Sequence, residues 1–547
     1  MKKYILTVLS VFLTLSLGAQ NMYDAFTFGA IDYLGSARVV GLGGAVTAVG
    51  SDLGTIGINP AGSSVANYSQ FTISPSLSIS RTNAAFQLEP TTGILRPYSK
   101  STTKLALPNI GYITKFDIGA DVSVSLGLAV NTVYDYNYSH SGQGENSYSS
   151  KFAEMARAAD GMTEKELAGK DFYDDSNHAL LWDVAMGYDA GLINAYGSEN
   201  KYVGCTEVLT SDGRRYVPGV LRQRSQKNIS GSKDDVILNL ALDFSRKFFL
   251  GFNVGLPVMS YSSSERFIET AKVVEDFPIK FVTSGGVEEN TYFSNAVYQY
   301  NYDASGQGVY AKVGFIYLPF KGLRIGAAYQ TPTIMDISET WVHSGRVSYA
   351  NGRSYNAASP EGKYDYTLVT PHHFDFGIAY TFGKVGLVSV DYSLEDYSSV
   401  RFVDSYDDFA FEQTNDKISK FSGMAHSLRA GAEINLLKSF ALRGGANMVT
   451  SAEKYYTNGA NDTFYNNYNE GDVLPTDSKY VKDIRFSYSL GFSYNPTGSF
   501  FADFAVRWAH YPKSIYQPYY DYDDVYSPTF HIQSSLVNAV MTLGWRF

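Results

Sequence analysis

Residues 121–130 read DVSVSLGLAV, with valine or leucine at every even-numbered position and Asp, Ser, Gly or Ala at the odd ones. A period of two places these two sets of side chains on opposite faces of a β-strand. The same alternation recurs in residues 236–244, 373–380 and 428–436. The chain is therefore predicted to be all-β, with one apolar sheet face and one face of polar or small side chains.

The connections between the alternating stretches fall into two length classes. Tight turns are predicted at Asp117 to Gly119, Ser245 to Lys247, Pro319 to Gly322, Phe382 to Lys384, Leu437 to Ser439, and Asn495 to Ser499. Long polar connections are predicted at Asn83 to Thr103, His140 to Ser232, Ala271 to Gly306, Ser348 to Lys363, Val403 to Lys417, Ser451 to Lys482, and Tyr511 to Thr529. Short turns at one end and long loops at the other are typical of outer-membrane barrels. The pattern predicts a transmembrane antiparallel β-barrel of about 14 strands, an even number.

The C-terminal residues 537–547 alternate once more and end on an aromatic residue. An open sheet edge would leave backbone groups unpaired in hydrocarbon, so the last strand must pair with the first. The aromatic C-terminus resembles the signal that bacterial barrel-assembly machinery reads. Trp545 and Phe547 are therefore predicted to form an assembly signal, with that machinery as a partner.

The N-terminus has the features of an export signal. Lys2 and Lys3 precede the apolar run from Ile5 to Leu17, and small residues follow up to Ala19. This pattern predicts a secretory signal peptide over residues 1–19. Beyond it the sequence has no run of roughly 18 or more apolar residues, so no membrane-spanning helix is expected. The formal net charge of -10 argues against nucleic acid as a partner, and the single cysteine excludes an intramolecular disulfide.

Residues 35–64, GSARVVGLGGAVTAVGSDLGTIGINPAGSS, contain eight glycines and one proline. Glycine costs roughly 1 kcal/mol and proline about 3 relative to alanine inside a helix, so compact irregular backbone is predicted. A nucleotide-binding loop is the first alternative. Gly41, Gly43 and Gly44 do not complete G-x-G-x-x-G, because Val46 stands at the third glycine position and no strand precedes the motif.

The order of small residues, Asp52 and the tetrapeptide 59–62 (Asn-Pro-Ala-Gly) resembles the N-terminal hatch of the FadL/TodX family of outer-membrane hydrophobic-compound transporters. The resemblance implies a hatch, residues 20–64, that plugs the lumen of a barrel formed by residues 65–547. A surface linker or a first barrel strand is the alternative for this stretch. The hatch and ligand-contact residues implied are Met22, Tyr23, Phe26, Phe28, Asn59, Pro60, Ala61 and Gly62.

The same resemblance implies a function. The chain is expected to be a monomeric channel in the Gram-negative outer membrane, among its lipid and lipopolysaccharide. It would take up hydrophobic small molecules such as long-chain fatty acids or aromatic hydrocarbons by passive, hatch-gated diffusion. The alternative is a structural or adhesive surface barrel that binds a host or lipid partner through its loops.

No arrangement of residues points to catalysis. The adjacent His372 and His373 are expected on opposite faces of a strand, which is unsuitable for two ligands of one metal. The acidic runs 404–408 and 521–524 are predicted to be solvated loop faces, with divalent cation binding as the alternative. H-E-x-x-H, C-x-x-C and G-x-S-x-G motifs are absent from the sequence. We expect no enzymatic activity, no cofactor and no metal.

Two local features complete the sequence-based picture. The longest loop, 140–232, is predicted to contain helices over 151–169, with Thr163 as a cap inside it, and over 179–193. Pro75 and Pro257 fall in strand-like runs, where a missing backbone donor favours a bulge or kink.

Overall fold

The structure is a closed antiparallel barrel of fourteen strands, as the turn and loop pattern predicted. The computed structural model describes residues 22–88, 96–169, 172–173, 181–197, 199–282, 288–452, 455–458, 478–481 and 484–547. The barrel strands are β1 (Gln70–Gln87), β2 (Tyr98–Asp117), β3 (Val122–Asp135 and Tyr138–Asn146), β4 (Leu221–Phe244), β5 (Phe248–Ala271), β6 (Glu288–Tyr317), β7 (Leu323–Gln330 and Ile334–Tyr349), β8 (Gly362–Val369 and His373–Thr381), β9 (Gly386–Asp396 and Arg401–Val403), β10 (Met424–Leu437), β11 (Phe440–Thr450), β12 (Ile484–Tyr494), β13 (Phe500–His510 and Ser514–Tyr516) and β14 (Thr529–Arg546).

The seam between the first and last strands closes the sheet. The β1–β14 ladder runs from Gln70 opposite Arg546 to Gln87 opposite Thr529. The backbone N–H of Phe547 then donates to the Ser69 carbonyl at 3.0 Å. Closure removes the unpaired edge, so the backbone of the sheet satisfies itself.

The two faces of the strands carry the predicted side chains. Leu126, Leu128 and Leu238 point outward and are 47%, 53% and 51% exposed, whereas Ser125 and Asn239 between them point inward and are buried. The apolar face is therefore the outside of the barrel and the polar or small face is the inside. In the part of the chain that the structure describes, no helix has the length and apolar character needed to cross a membrane.

All six tight turns occur where the sequence predicted them, but the strands at the opposite end are longer than expected. The loop predicted over 140–232 is shorter in the structure, because Tyr138–Asn146 of β3 pairs with β4 as far as Leu221. Polar side chains do not prevent backbone pairing, so the ladder continues beyond the apolar band. Likewise β1 begins at Gln70 rather than directly after residue 64.

The described residues also contain six α-helices that are not part of the barrel wall. They are α1 (Met22–Gly29), α2 (Ala37–Gly41), α3 (Lys151–Ala159), α4 (Glu164–Leu167), α5 (Trp182–Asp189) and α6 (Glu412–Phe421), with single 3-10 turns at Leu53–Thr55, Pro60–Ser64, Val274–Asp276 and Tyr397–Ser399. Short strands also pair in the loops, at Ile193–Tyr196 with Lys201–Gly204, Val208–Leu209 with Arg215–Tyr216, Pro278–Val282 with the start of β6, Ser354–Ala358 with the end of β7, and Tyr455–Asn458 with Ser478–Val481. The helices predicted in the longest loop are confirmed, including the Thr163 cap, which forms a capping box with Glu166.

Residues 22–64, named here the luminal segment, lie inside the barrel. Their contacts reach strands on every side, from Thr542 of β14 through Phe315 of β6 to Glu433 of β10. The glycine-rich part is more regular than predicted, because it contains α2 and two 3-10 turns. Ser36 caps α2 by accepting from the Val39 N–H, so burial and capping offset the low helix propensity. Residues 1–21, including the expected signal peptide, lie outside the described residues.

A ring of wall glycines, named here the glycine girdle, surrounds the luminal segment. On each of these glycines a Cβ atom would press against residues 41–61, usually against their backbone. The girdle consists of Gly251, Gly314, Gly326, Gly377, Gly431, Gly445 and Gly491, on β5 to β8 and β10 to β12. Backbone therefore packs on backbone around much of the lumen, which accounts for glycine at strand positions where it is otherwise unfavourable.

The two prolines predicted to distort strands behave differently. The β1–β2 register shifts between Ser74 and Ser76, so Pro75 produces the expected bulge. The prediction was wrong for Pro257, where the β4–β5 register continues without a shift. On the other side of β5, the ladder with β6 skips Leu256 and Pro257, so the missing donor interrupts that ladder locally without shifting its register.

A pair of adjacent glycines tests the close packing of the luminal segment. A Cβ on Gly445 would overlap the Gly43 nitrogen, whereas a Cβ on Gly444 would have its nearest neighbour 3.9 Å away. We expect Gly445→Ala to destabilise the protein by about 1–3 kcal/mol, as overpacking does. Gly444→Ala is the matched control and should unfold at the same temperature as the wild-type protein. The measurement is the temperature at which the detergent-resistant barrel unfolds on a gel, and equal midpoints for both variants would refute the close packing.

Candidate functional site

The site begins with α1, which lies at the loop end of the lumen above the rest of the luminal segment. Its Phe28 packs edge-on against Tyr261 of β5, with ring centroids 5.4 Å apart, and Phe26 packs against Tyr397 at 5.6 Å. The Lys233 ammonium of β4 donates to the carbonyls of Phe28 and Ala30, at 2.7 and 2.6 Å. A cation at these free carbonyls stabilises the C-terminal end of the helix and fixes its position.

Two cavities flank α1. Cavity A has a volume of about 400 Å³ and is lined by Tyr23, Phe26, Thr27, Ala30, Ile31, Tyr134, Glu395, Tyr397, Ala425, Val449, Thr450, Ser451, Ala452, Arg485, Tyr511, Pro512, Lys513 and Ser514. Cavity B has a volume of about 390 Å³ and is lined by Thr27, Ser80, Tyr134, Asp135, Tyr136, Asn137, Tyr138, Ile229, Tyr261, Tyr511, Pro512, Ser514, Ser534 and Leu536. They share Thr27, Tyr134, Tyr511, Pro512 and Ser514, so they adjoin. Both have the size and aromatic lining of small-molecule sites.

The helical lobe formed by α3 to α5 covers the lumen above α1. Trp182 of α5 packs against Trp341 of β7 with ring centroids 5.7 Å apart. Both tryptophans belong to the same buried cluster as Ala25 and Phe28 of α1. The helical lobe and α1 therefore share one buried aromatic core.

Beneath cavity A the luminal segment is held by a buried ion pair. Arg507 contacts both carboxylate oxygens of Asp32 at 2.9 Å, and Arg485 lies 3.2 Å away. Burial favours the neutral carboxyl, but the two guanidinium groups outweigh it and lower the pKa of Asp32 to about 2. Arg485 also lines cavity A, so this anchor connects the cavity to the segment that blocks the lumen.

The predicted tetrapeptide has a different environment from the predicted aromatic residues. The Asn59 amide donates to the carbonyls of Thr47 and Phe315, at 2.7 and 3.0 Å, and its oxygen accepts from the Ala61 N–H. Pro60, Ala61 and Gly62 are buried in the 3-10 turn that follows. None of the four lines cavity A or B. Their observed role is to fix the turn against the wall, and direct ligand contact by them stays a prediction.

The predicted aromatic residues of α1 lie next to the cavities. Tyr23 and Phe26 line cavity A, while Phe28 is fully buried and positions the helix. The side chain of Met22 lies outside the described residues. Sequence reasoning missed the wall residues Tyr134 and Tyr261, because their only signal was the chain's high tyrosine content, and they come together only on closure.

The wall next to cavity B is interrupted. The ladder between β2 and β3 ends at Asn109 opposite Asn131, and β3 itself breaks at Tyr136 and Asn137. Side chains bridge the two sides there. Lys104 of β2 donates to Asp135 and to the Gly231 carbonyl of β4, both at 2.8 Å. Neither of the two prolines predicted to distort strands lies at this break, because Pro75 is in β1 and Pro257 is in β5.

The histidine pair behaves as predicted. His372 points outward beside Tyr329, and His373 points inward between Asp375 and Glu395, at 2.9 and 2.7 Å. Within the described residues no group of three or more His, Cys, Asp or Glu side chains is arranged to hold a metal ion. Burial raises the pKa of the Cys205 thiol well above its usual value.

Comparison with known proteins shows the fold. No family model matches the chain, and no curated protein sequence is similar to it. A Pseudomonas aeruginosa FadL homologue superposes with a TM-score of 0.50 at 10% identity, over 95% of this chain and 100% of the other. The Pseudomonas putida toluene transporter TodX superposes with a TM-score of 0.47 at 12% identity. The Ralstonia pickettii toluene transporter TbuX superposes with a TM-score of 0.43 at 15% identity. Each alignment covers 95% of this chain and 100% of the other. The first of these likenesses confirms the FadL-like fold that the glycine-rich stretch suggested.

The Asp32 anchor leads to a stability prediction. Asp32→Asn removes the charge that pairs with two buried arginines, so we expect a loss of about 3–5 kcal/mol of unfolding free energy. Asp212→Asn is the control, because Asp212 pairs with Arg214 on an exposed loop and should matter little. Equal denaturation midpoints for the two variants would contradict the anchoring role.

The same anchor has a defined pH dependence. The folded pKa of Asp32 is lowered, so its contribution to stability is complete above the unfolded pKa of about 4 and is lost as pH falls towards 2. Protease cleavage within the luminal segment of wild type should therefore increase across this window, measured with pepsin at each pH. In the Asp32→Asn variant, pepsin cleavage of the luminal segment should change less over the same pH range.

Proposed function

We propose that this protein is an outer-membrane channel for hydrophobic small molecules, such as long-chain fatty acids or aromatic hydrocarbons. The observation that carries the proposal is the pair of aromatic cavities flanking α1 inside a closed barrel with an apolar outer face. The outward-facing leucines and valines of the strands match a hydrocarbon environment, and a closed sheet is one of the two structures that can span it. The Pseudomonas aeruginosa FadL homologue has a similar fold, which supports the proposal.

Capture would rest on the apolar area of the cavities. Each CH₂ group that leaves water contributes about 0.8 kcal/mol, so an acyl chain or an aromatic ring gains affinity without a specific polar contact. The lipopolysaccharide layer resists direct passage of apolar solutes, which gives such a binding site its use. The step is passive, and the proposal requires no covalent chemistry, cofactor or metal.

Release would require a change in the luminal segment or in the wall. The segment fills the lumen below α1, and Asn59 fixes its turn to β6 through the Phe315 carbonyl. A movement of this hatch would open a route towards the turn end. The break beside Asp135 offers a second, lateral route, where side chains such as Lys104 and Thr102, rather than backbone hydrogen bonds, cross the gap between β2 and β3.

The alternative function is adhesion through the loops. It is favoured by exposed aromatic side chains at the loop end, since Tyr406 is fully exposed and Phe409 and Tyr520 are about three-quarters exposed. An adhesin needs these side chains but needs neither the cavities nor a movable hatch. Transport and adhesion are therefore separable by mutating the two regions independently.

A transport assay tests the proposal. Tyr23 and Phe26 line cavity A, so the double variant Tyr23→Ala/Phe26→Ala should reduce uptake several-fold, because it removes apolar side chains that a ligand in cavity A would contact. Asn59→Ala/Pro60→Ala should insert normally and alter uptake by loosening the turn. Uptake of a labelled long-chain fatty acid and of toluene is measured in cells lacking their own channel.

The control for this assay is Phe409→Ala, which changes an exposed loop side chain and should transport as wild type does. If wild type transports neither compound above the empty-vector level, while Phe409→Ala abolishes attachment to a surface, the adhesin alternative replaces the channel.

Epitope insertion tests the membrane orientation. The hairpin at Asp212 is exposed at the loop end, and Gly498 lies in an exposed tight turn where an added Cβ meets no atom within 4 Å. An epitope after Asp212 should bind antibody on intact cells, and one after Gly498 should bind only after permeabilisation. The reverse pattern would overturn the orientation.

A further inference from the structure

Three consecutive residues at the break in β3 carry buried polar atoms without a partner. Among the described residues, none hydrogen-bonds to Asp135 Oδ2, the Tyr136 hydroxyl or Asn137 Nδ2. The side chain of Asp135 is 6% exposed, and Tyr136 is 4% exposed. All three residues line cavity B. Native proteins pair more than about 90% of buried polar groups, so three such atoms at one cavity point to a ligand.

The other polar atoms of these residues are engaged, which holds the free ones in place. Asp135 Oδ1 accepts from the Lys104 ammonium at 2.8 Å and from the Asn137 N–H at 3.2 Å. Asn137 Oδ1 accepts from the Thr102 hydroxyl at 3.3 Å. The ring of Tyr136 is fixed edge-on against Tyr261, with centroids 5.2 Å apart. The three residues thus give cavity B one polar end, while most of its other lining side chains are aromatic or aliphatic.

We infer that cavity B selects neutral amphiphiles whose apolar body ends in a hydroxyl group. A hydroxyl both donates and accepts, so it can donate to Asp135 Oδ2 while accepting from Asn137 Nδ2, and the Tyr136 hydroxyl can serve in either role. The inference rests on the proposed function, since it specifies what one of the two channel cavities takes.

Other head groups fit this polar end less well. A carboxylate only accepts, and it would lie beside the Asp135 carboxylate. A hydrocarbon leaves all three buried atoms unpaired. An amine only donates, and its charge would compete with Lys104, which already neutralises Asp135. Sites that pair a ligand hydroxyl reject analogues lacking it, because the polar groups of the site are then left buried and unpaired.

Photocrosslinking tests the inference directly. The full-length protein in lipid nanodiscs is labelled with a diazirine-bearing dodecan-1-ol, and the modified residues are located by peptide mass spectrometry. We expect labels on Ile229, Tyr261 or Leu536 of cavity B. Unlabelled dodecan-1-ol should compete at roughly tenfold lower concentration than dodecanoate, dodecylamine or dodecane, a ratio typical of one or two hydrogen bonds.

Matched tyrosine variants separate the head-group contact from packing. Tyr136→Phe removes only the free hydroxyl and should weaken competition by dodecan-1-ol roughly three- to tenfold, with dodecane unaffected. Tyr188→Phe is the control, because Tyr188 lies in α5 outside cavity B and its hydroxyl donates to Glu164 at 2.6 Å. Asn137→Asp, which replaces a donor with a second carboxylate, should weaken competition by dodecan-1-ol further. Retained heat-modifiable mobility shows that each variant has folded.

The outcomes distinguish the inference from the channel proposal. No labelling of cavity B, equal competition by dodecane or dodecanoate, or no effect of Tyr136→Phe overturns the inference, even if cells expressing the protein take up apolar compounds. Hydroxyl-dependent labelling of cavity B supports it. If cells take up none of the four compounds, the channel proposal is overturned. The labelling of cavity B then still decides whether the cavity selects hydroxyl groups.

Discussion

Hydrogen bonds from wall side chains to backbone carbonyls of the luminal segment hold this structure together. The glycine-rich segment pairs only part of its carbonyls internally, and each one buried without a partner is costly. The wall supplies the donors. Asn253 donates to Ile56, Lys312 to Gly57, Asn239 to Pro60 and Arg324 to Val49, at distances between 2.6 and 3.0 Å. The polar inward face of the barrel is thus the complement of an irregular chain rather than the lining of a water-filled pore.

This complementarity divides the lumen into two levels. The lower level is occupied by the luminal segment, whose backbone meets the wall directly at the glycine girdle. The upper level contains α1, whose C-terminal carbonyls are held by Lys233, and the tyrosines that line cavities A and B. In the proposed channel, binding and blocking would therefore fall to different parts of one continuous segment. The Asp32 anchor lies between them, so a ligand in cavity A would be adjacent to it.

The sequence predicted the barrel well because alternation and turn length are local properties. The alternation of the neighbouring residues is enough to assign Leu126 and Ser125 to opposite faces of the sheet. A tight turn such as Ser245 to Lys247 can be recognised from three consecutive residues. The site could not be predicted in this way. Tyr261 and Phe28 are more than two hundred residues apart in the chain and meet only because the barrel closes around α1. The tetrapeptide at Asn59 marked the correct segment, but its residues contact the wall, and the residues at the cavities lie in α1 and in the strands.

The glycine girdle has a consequence for the order of assembly. Where backbone packs on backbone, the clearance between segment and wall is smaller than a side chain, so valines and leucines of the segment could not be threaded past a finished wall. We therefore expect the segment to be compact among β5 to β12 before the sheet wraps round it. β1 is synthesised early and β14 last, and the ladder between them is the seam. This order predicts that the barrel is built around its own N-terminal segment, with the closing of the seam as the final step.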